Sequence, residues 1–173
     1  FILPTAPKRS ITINGGLKMN AWYDIIDTSR INSLIDHQGI LESVSQIEEI
    51  IAQQVSLGVD PNKIFVAGFS QGAAICYSLL LKTTYQLRGF IMISGYLPDI
   101  NMINNDTNKI NCDTPILACH GKLDNVVPYD LGLLSYENLK KHQYNIVWRN
   151  YHIAHTMSFD EINDIASWLN SKT

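Results

Sequence analysis

The chain has 173 residues, 46% apolar and 17% charged, with a formal net charge of −3 at pH 7. That suffices for one domain with a sizeable core, and the balance is that of a globular rather than a disordered protein. The isolated basic pairs Lys8-Arg9 and Lys140-Lys141 argue against a nucleic-acid surface, and no apolar run reaches membrane-spanning length.

The stretch up to residue 40 reads as irregular, punctuated by Pro4, Pro7 and the turn Asn14-Gly15-Gly16. Ser43 with Gln46 forms a capping box, and Val44, Ile47, Ile50, Ile51 and Val55 repeat at helical spacing until Gly58. Strands and helices then alternate. "KIFVAGF" reads as a short apolar strand and residues 71–82 as a buried helix. "LRGFIMISG" is a second strand, and residues 97–114 are a polar loop. "PILACHG" is a third strand, followed by a helix over 129–142 with Leu131, Leu134 and Leu139 inward. "NIVWRNY" is a fourth strand. Ser158 and Glu161 cap a last helix whose Ile162, Ile165, Trp168 and Leu169 share a face. Near-continuous apolar strands alternating with helices predict a mostly parallel sheet covered on both sides, in a single domain over 1–173.

Cys76, Cys112 and Cys119 show neither metal-ligand spacing nor a C-x-x-C pair, which predicts reduced thiols in a cytoplasmic protein and no metal or cofactor. Asn105-Asp106-Thr107 matches a glycosylation acceptor, a tripeptide common by chance. The sequence opens on Phe1 with no signal peptide, which suggests that it starts partway into a longer protein.

The chemistry concentrates at strand ends, where open parallel sheets place their sites. "GFSQG" sets Ser70 between Gly68 and Gly72 at a strand-to-helix boundary. Asp124 follows the third strand in "HGKLDNVVP", and His155 follows the fourth in "YHIAHTM". A serine hydroxyl needs a base, imidazole has a suitable pKa, and a carboxylate fixes the imidazole tautomer. The order Ser, Asp, His is that of α/β-hydrolases. The N–H of Gln71, the residue after the nucleophile, is the predicted oxyanion donor. An ordinary strand-to-helix turn is the bland reading of Ser70. His152 competes with His155 for the base, and His155 is preferred as the one further into the loop. Asp130 competes with Asp124 but falls in the first turn of a helix, where acids cap. His120, His142 and His37 read as structural, and Cys76 and Cys119 as core packing.

The stretches "APKRSITINGGLKMNAWYDI", "GFSQGAA", "ISGYLP", "TPILACHGKLDNVVP" and "WRNYHIAHTMSFDEINDIASWL" resemble, in order, the phospholipase/carboxylesterase family, which includes acyl-protein thioesterases and bacterial carboxylesterases. The resemblance implies an α/β-hydrolase fold and hydrolysis of carboxylic esters or acyl thioesters. It maps Ser70, Asp124 and His155 onto the triad, Gln71 onto one oxyanion donor, and Trp22 and Leu97 onto stretches near the acyl groove; core packing explains Trp22 equally well. Ala154 and Ala73 stand where the family often has glycine. Family members begin with strands and an "HGxG"-type loop ahead of "APKR". Their absence here predicts an N-terminally incomplete fold that lacks the second oxyanion donor and could bury its surface as a homodimer.

The expected function is therefore a cofactor-free serine hydrolase whose substrate is a small ester, a lysophospholipid or an acylated protein. It would involve neither nucleic acid nor stable membrane insertion. The rival readings are a catalytically impaired fragment serving as a binding module, and an acyltransferase.

Overall fold

Continuous apolar stretches bounded by turn residues become the central sheet. The structure, a computed structural model, describes residues 1–27, 34–103 and 109–172. Strands β3 (Phe65–Phe69), β4 (Gly89–Ile93), β5 (Ile116–Gly121) and β6 (Ile146–Tyr151) form a parallel sheet in the order β3-β4-β5-β6. Two further strands, β1 (Lys8–Ile11) and β2 (Leu17–Asn20), pair antiparallel as a hairpin. The hairpin lies inside the segment expected to be irregular. Every residue of β2 is exposed, so no core-facing alternation marks it; the turn at Gly15 and Gly16, at φ +64° and +79°, does.

Each residue of β4 and β5 is buried, as expected of central parallel strands, whereas the outer strands β3 and β6 are only partly covered. Side chains alternate between the two faces. Phe90, Met92, Ile116 and Ala118 join the main core with helices α1 (His37–Ser56), α2 (Gln71–Lys82) and α3 (Tyr129–Lys141). Ile91, Ile93, Leu117 and Cys119 face α4 (Phe159–Asn170) through Ile165, Trp168 and Leu169. Crossovers of one hand along a sequential strand order bring α2 and α3 to the same face. From Ala73 to Leu81 every residue of α2 is buried, because the helix is wedged between the sheet and α1.

Three helix details correct the sequence reading. The N-cap of α1 is Asp36, whose side chain accepts from the Gly39 N–H at 2.8 Å; Ser43 lies inside the helix, and its hydroxyl donates to the Trp22 carbonyl. The inward residues of α3 are Gly132, Ser135 and Leu139, while Leu134 is 39% exposed. In α4, Glu161 takes the buried place and Ile162 is 46% exposed, although Ser158 caps the helix as expected by accepting from the Glu161 N–H. The tripeptide Asn105-Asp106-Thr107 lies outside the described residues. Among the described residues, no helix is long and apolar enough to cross a membrane.

Candidate active site

Ser70 ends the turn from β3 into α2 and holds φ +56°, ψ −118°, a backbone conformation few non-glycine residues adopt. Its surroundings over-determine it. The Ser70 N–H donates to the Ile93 carbonyl at 2.9 Å, and its own carbonyl accepts from the Ala74 N–H at 3.1 Å. A Cβ on Gly68 would meet the Gly72 carbonyl carbon at 2.2 Å, and one on Gly95 would meet the Ala73 Cβ at 2.4 Å. Only glycine allows α2 to approach β3 and the segment that follows β4 this closely.

The hydroxyl of Ser70 does not cap α2; it faces His155. Ser70 Oγ lies 2.9 Å from His155 Nε2, and His155 Nδ1 lies 2.7 Å from Asp124 Oδ2. A carboxylate only accepts, so Nδ1 carries the proton and Nε2 offers its lone pair to the hydroxyl. The other oxygen of Asp124, Oδ1, accepts from the N–H groups of Val126 and Val127 at 2.9 and 2.8 Å. The side chain of Asp124 is fully buried and that of His155 14% exposed, so the relay opens to solvent at the serine end. Phe69 packs its ring on His155 with centroids 4.8 Å apart.

Gln71 is the first residue of α2, where backbone N–H groups have no partner within the helix. Its side chain adds a clamp: Oε1 accepts from the Trp22 N–H at 3.0 Å, and Nε2 donates to the Tyr23 carbonyl at 2.9 Å. The indole of Trp22 lies over the start of α2, Nε1 being 3.9 Å from where a Gly72 Cβ would be, and packs against the main core. Leu97 is buried in that core at 5% exposure, its N–H donating to Ser135 Oγ at 2.8 Å. The structure therefore brings Ser70, His155, Asp124, Gln71 and Trp22 together, while Leu97 is enclosed by its neighbours.

The competing residues lie elsewhere. His152 is exposed, and Asp130 is exposed in the first turn of α3. The His142 Nδ1–H donates to the Asn138 carbonyl at the end of α3, and His37 sits 3.8 Å from Asp99 at the start of α1. Burial pushes the thiols of Cys76 and Cys119 up to about 12, out of the range of a nucleophile at neutral pH. Among the described residues, no group of three or more His, Cys, Asp or Glu side chains could hold a metal. Sequence reasoning missed the side-chain amide of Gln71, the ring of Phe69 and the engagement of His120 in the Asp124 loop. Of these only His120 left a trace, as a histidine beside Gly121 at a strand end.

A family model described as Phospholipase/Carboxylesterase matches residues 1–173. The chain is 38% identical to an acyl-protein thioesterase 1 of Yarrowia lipolytica over 173 residues, which is 98% of this chain and 76% of that protein. The crystal structure of Arabidopsis thaliana SOBER1 matches it with a TM-score of 0.88 at 29% identity, over 99% of this chain and 82% of that one. That of Zea mays acyl-protein thioesterase 2 matches with a TM-score of 0.84 at 27% identity, over 98% and 79%.

Proposed function

Since this chain belongs to the phospholipase/carboxylesterase family and is a hydrolase of esters or thioesters, we propose that it works through Ser70, His155 and Asp124 by way of an acyl-enzyme. The observation that carries this reading is the continuous relay Ser70 Oγ, His155 Nε2, His155 Nδ1, Asp124 Oδ2, with spacings of 2.9 and 2.7 Å across its two hydrogen bonds.

As Ser70 Oγ attacks the acyl carbonyl, its proton passes to Nε2, and the imidazolium is stabilised by Asp124. The oxyanion of the tetrahedral intermediate is received by the Gln71 N–H at the positive end of α2. The intermediate collapses as Nε2–H protonates the departing thiolate or alkoxide. Water then attacks the acyl-serine, its proton taken by the same nitrogen, and the second tetrahedral intermediate collapses as Nε2–H returns that proton to Ser70 Oγ and the free acid leaves. Curated relatives named acyl-protein thioesterase support an acylated protein as substrate, and SOBER1, named a carboxylesterase, supports carboxylic esters as well. Trp22, beside the start of α2, is the side chain we assign to the acyl group.

Ser70→Ala tests the reading. It should lower kcat on a p-nitrophenyl ester by about 10⁴- to 10⁶-fold and abolish labelling by a fluorophosphonate. Activity within threefold of the parent, roughly what a change outside the chemistry leaves, would remove Ser70 from the mechanism.

A further inference from the structure

The loop that presents Asp124 has no regular structure of its own between β5 and α3, yet its carboxylate must stay aimed at His155. We propose that His120 is a positioning residue that holds this loop, acting on the reaction through Asp124. The inference rests on the reading of Ser70, His155 and Asp124 as the reacting groups.

His120 lies in β5 and is completely buried. Its Nε2 is 2.9 Å from the Val127 carbonyl. A carbonyl can only accept, so Nε2 carries the proton and donates. Val127 is thereby held at both ends, because its N–H donates to Asp124 Oδ1 at 2.8 Å. The same Nε2–H lies 3.5 Å from Asp124 Oδ2, too far for a good hydrogen bond but close enough for its dipole to favour the negative charge. A chain of contacts therefore runs from His120 through Val127 and Asp124 to His155 and Ser70.

The ring is fixed for this task. Trp148 stacks on it with centroids 5.9 Å apart at 26°, and Tyr129 meets it edge-on at 6.0 Å and 85°. Its Nδ1 is buried against Gly132, where a Cβ would come within 2.4 Å, and has no hydrogen-bond partner among the described residues. A second ring proton would find no acceptor there. Burial accordingly holds the pKa of His120 below the ordinary histidine value, with the Val127 and Asp124 contacts opposing only in part. His120 thus remains a neutral donor while His155 gains and loses its proton. A ring serving only to fill space could be a phenyl; what a phenyl lacks is the N–H at the Nε2 position.

Three substitutions separate these roles. His120→Phe keeps an aromatic ring and loses the donor. His120→Gln places an amide N–H as many bonds from Cβ as Nε2, and His120→Asn places it one bond short. With rates expressed per titratable Ser70, His120→Phe and His120→Asn should lower kcat by about 10- to 100-fold, as expected for a misplaced catalytic group, with KM within about twofold. His120→Gln should recover kcat to within about threefold of the parent. If His120→Phe does not fold, the Gln and Asn pair decides by itself. A kcat that is the same in Gln and Asn, or that stays at the parental value in Phe, overturns the proposal. Ser70→Ala is run alongside: hydrolysis that survives it overturns the parent reading as well, whereas hydrolysis that needs Ser70 but ignores His120 overturns this inference alone.

Discussion

Replacing Asp124 by asparagine changes one oxygen to an NH₂, and the structure dictates which. Oδ1 accepts two backbone N–H groups, from Val126 and Val127, at 2.9 and 2.8 Å. An asparagine meets both only with its carbonyl oxygen in that place. The reverse orientation would set an NH₂ against two buried donors, at a cost of about 1–3 kcal/mol for each donor left unsatisfied. The NH₂ therefore occupies the Oδ2 site, 2.7 Å from His155 Nδ1 in the parent. Being a donor, it demands the lone pair of Nδ1, and the imidazole proton moves to Nε2. Nε2 is the atom that must accept from Ser70 Oγ, 2.9 Å away. The variant thus keeps its shape and holds the wrong tautomer, a defect worth about 10⁴ in kcat, or roughly 5.5 kcal/mol of barrier. Steady-state hydrolysis of a p-nitrophenyl ester measures it, with a thermal melt beside it to show that the fold is intact. Asp124→Ala is the contrast, since it also strands the Val126 and Val127 donors and should lower the melting temperature. An Asp124→Asn enzyme that melts like the parent and keeps kcat within about tenfold would refute the tautomer argument.

His155→Ala should be as damaging as Ser70→Ala, and His152→Ala should leave kcat near the parental value, because His152 is exposed and His155 holds the relay; steady-state kinetics of the two variants decides between them. Gly121→Ala should lower kcat by about 100-fold, since its Cβ would fall 2.4 Å from the Ile153 carbonyl oxygen and 2.5 Å from that of Ala154, pushing the loop that carries His155; wild-type kcat in this variant would show that the loop tolerates the shift. Burial raises the pKa of Glu161 above the ordinary carboxyl value, the Ser158 backbone opposing it in part. A folded-state pKa raised in this way gives stability that is complete below the unfolded value, about 4.3, and lost as pH rises through the folded one. Glu161→Gln should accordingly gain stability over the parent at pH 8 and little at about pH 4, read from urea unfolding at the two values.

Ser70, Asp124 and His155 stand out in the sequence as candidates because each lies where an apolar strand gives way to polar or glycine residues, and such transitions are local. Strands β4 and β5 and helix α2 were legible because continuous burial leaves continuous apolar residues. The β1–β2 hairpin was not, since none of the side chains of β2 is buried and no periodicity follows. The start of α1 was misread because a serine three residues before a glutamine looks like a cap wherever it occurs. Only the packed structure shows that the Ser43 hydroxyl is engaged with the Trp22 carbonyl and that Asp36 caps the helix.

Sequence alone thus determined which residue types stand at the strand ends, and through them the chemistry available, because backbone periodicity and turn preferences act between near neighbours. The tertiary structure alone decided which of His152 and His155 meets Ser70, which oxygen of Asp124 faces His155 and which its own loop, and which backbone groups the side chains of Gln71 and His120 engage. Each of these depends on a hydrogen bond or ring contact whose partner is fixed by folded packing. A side chain that could satisfy its polar atoms in several ways carries no mark in the sequence of the one that the core permits.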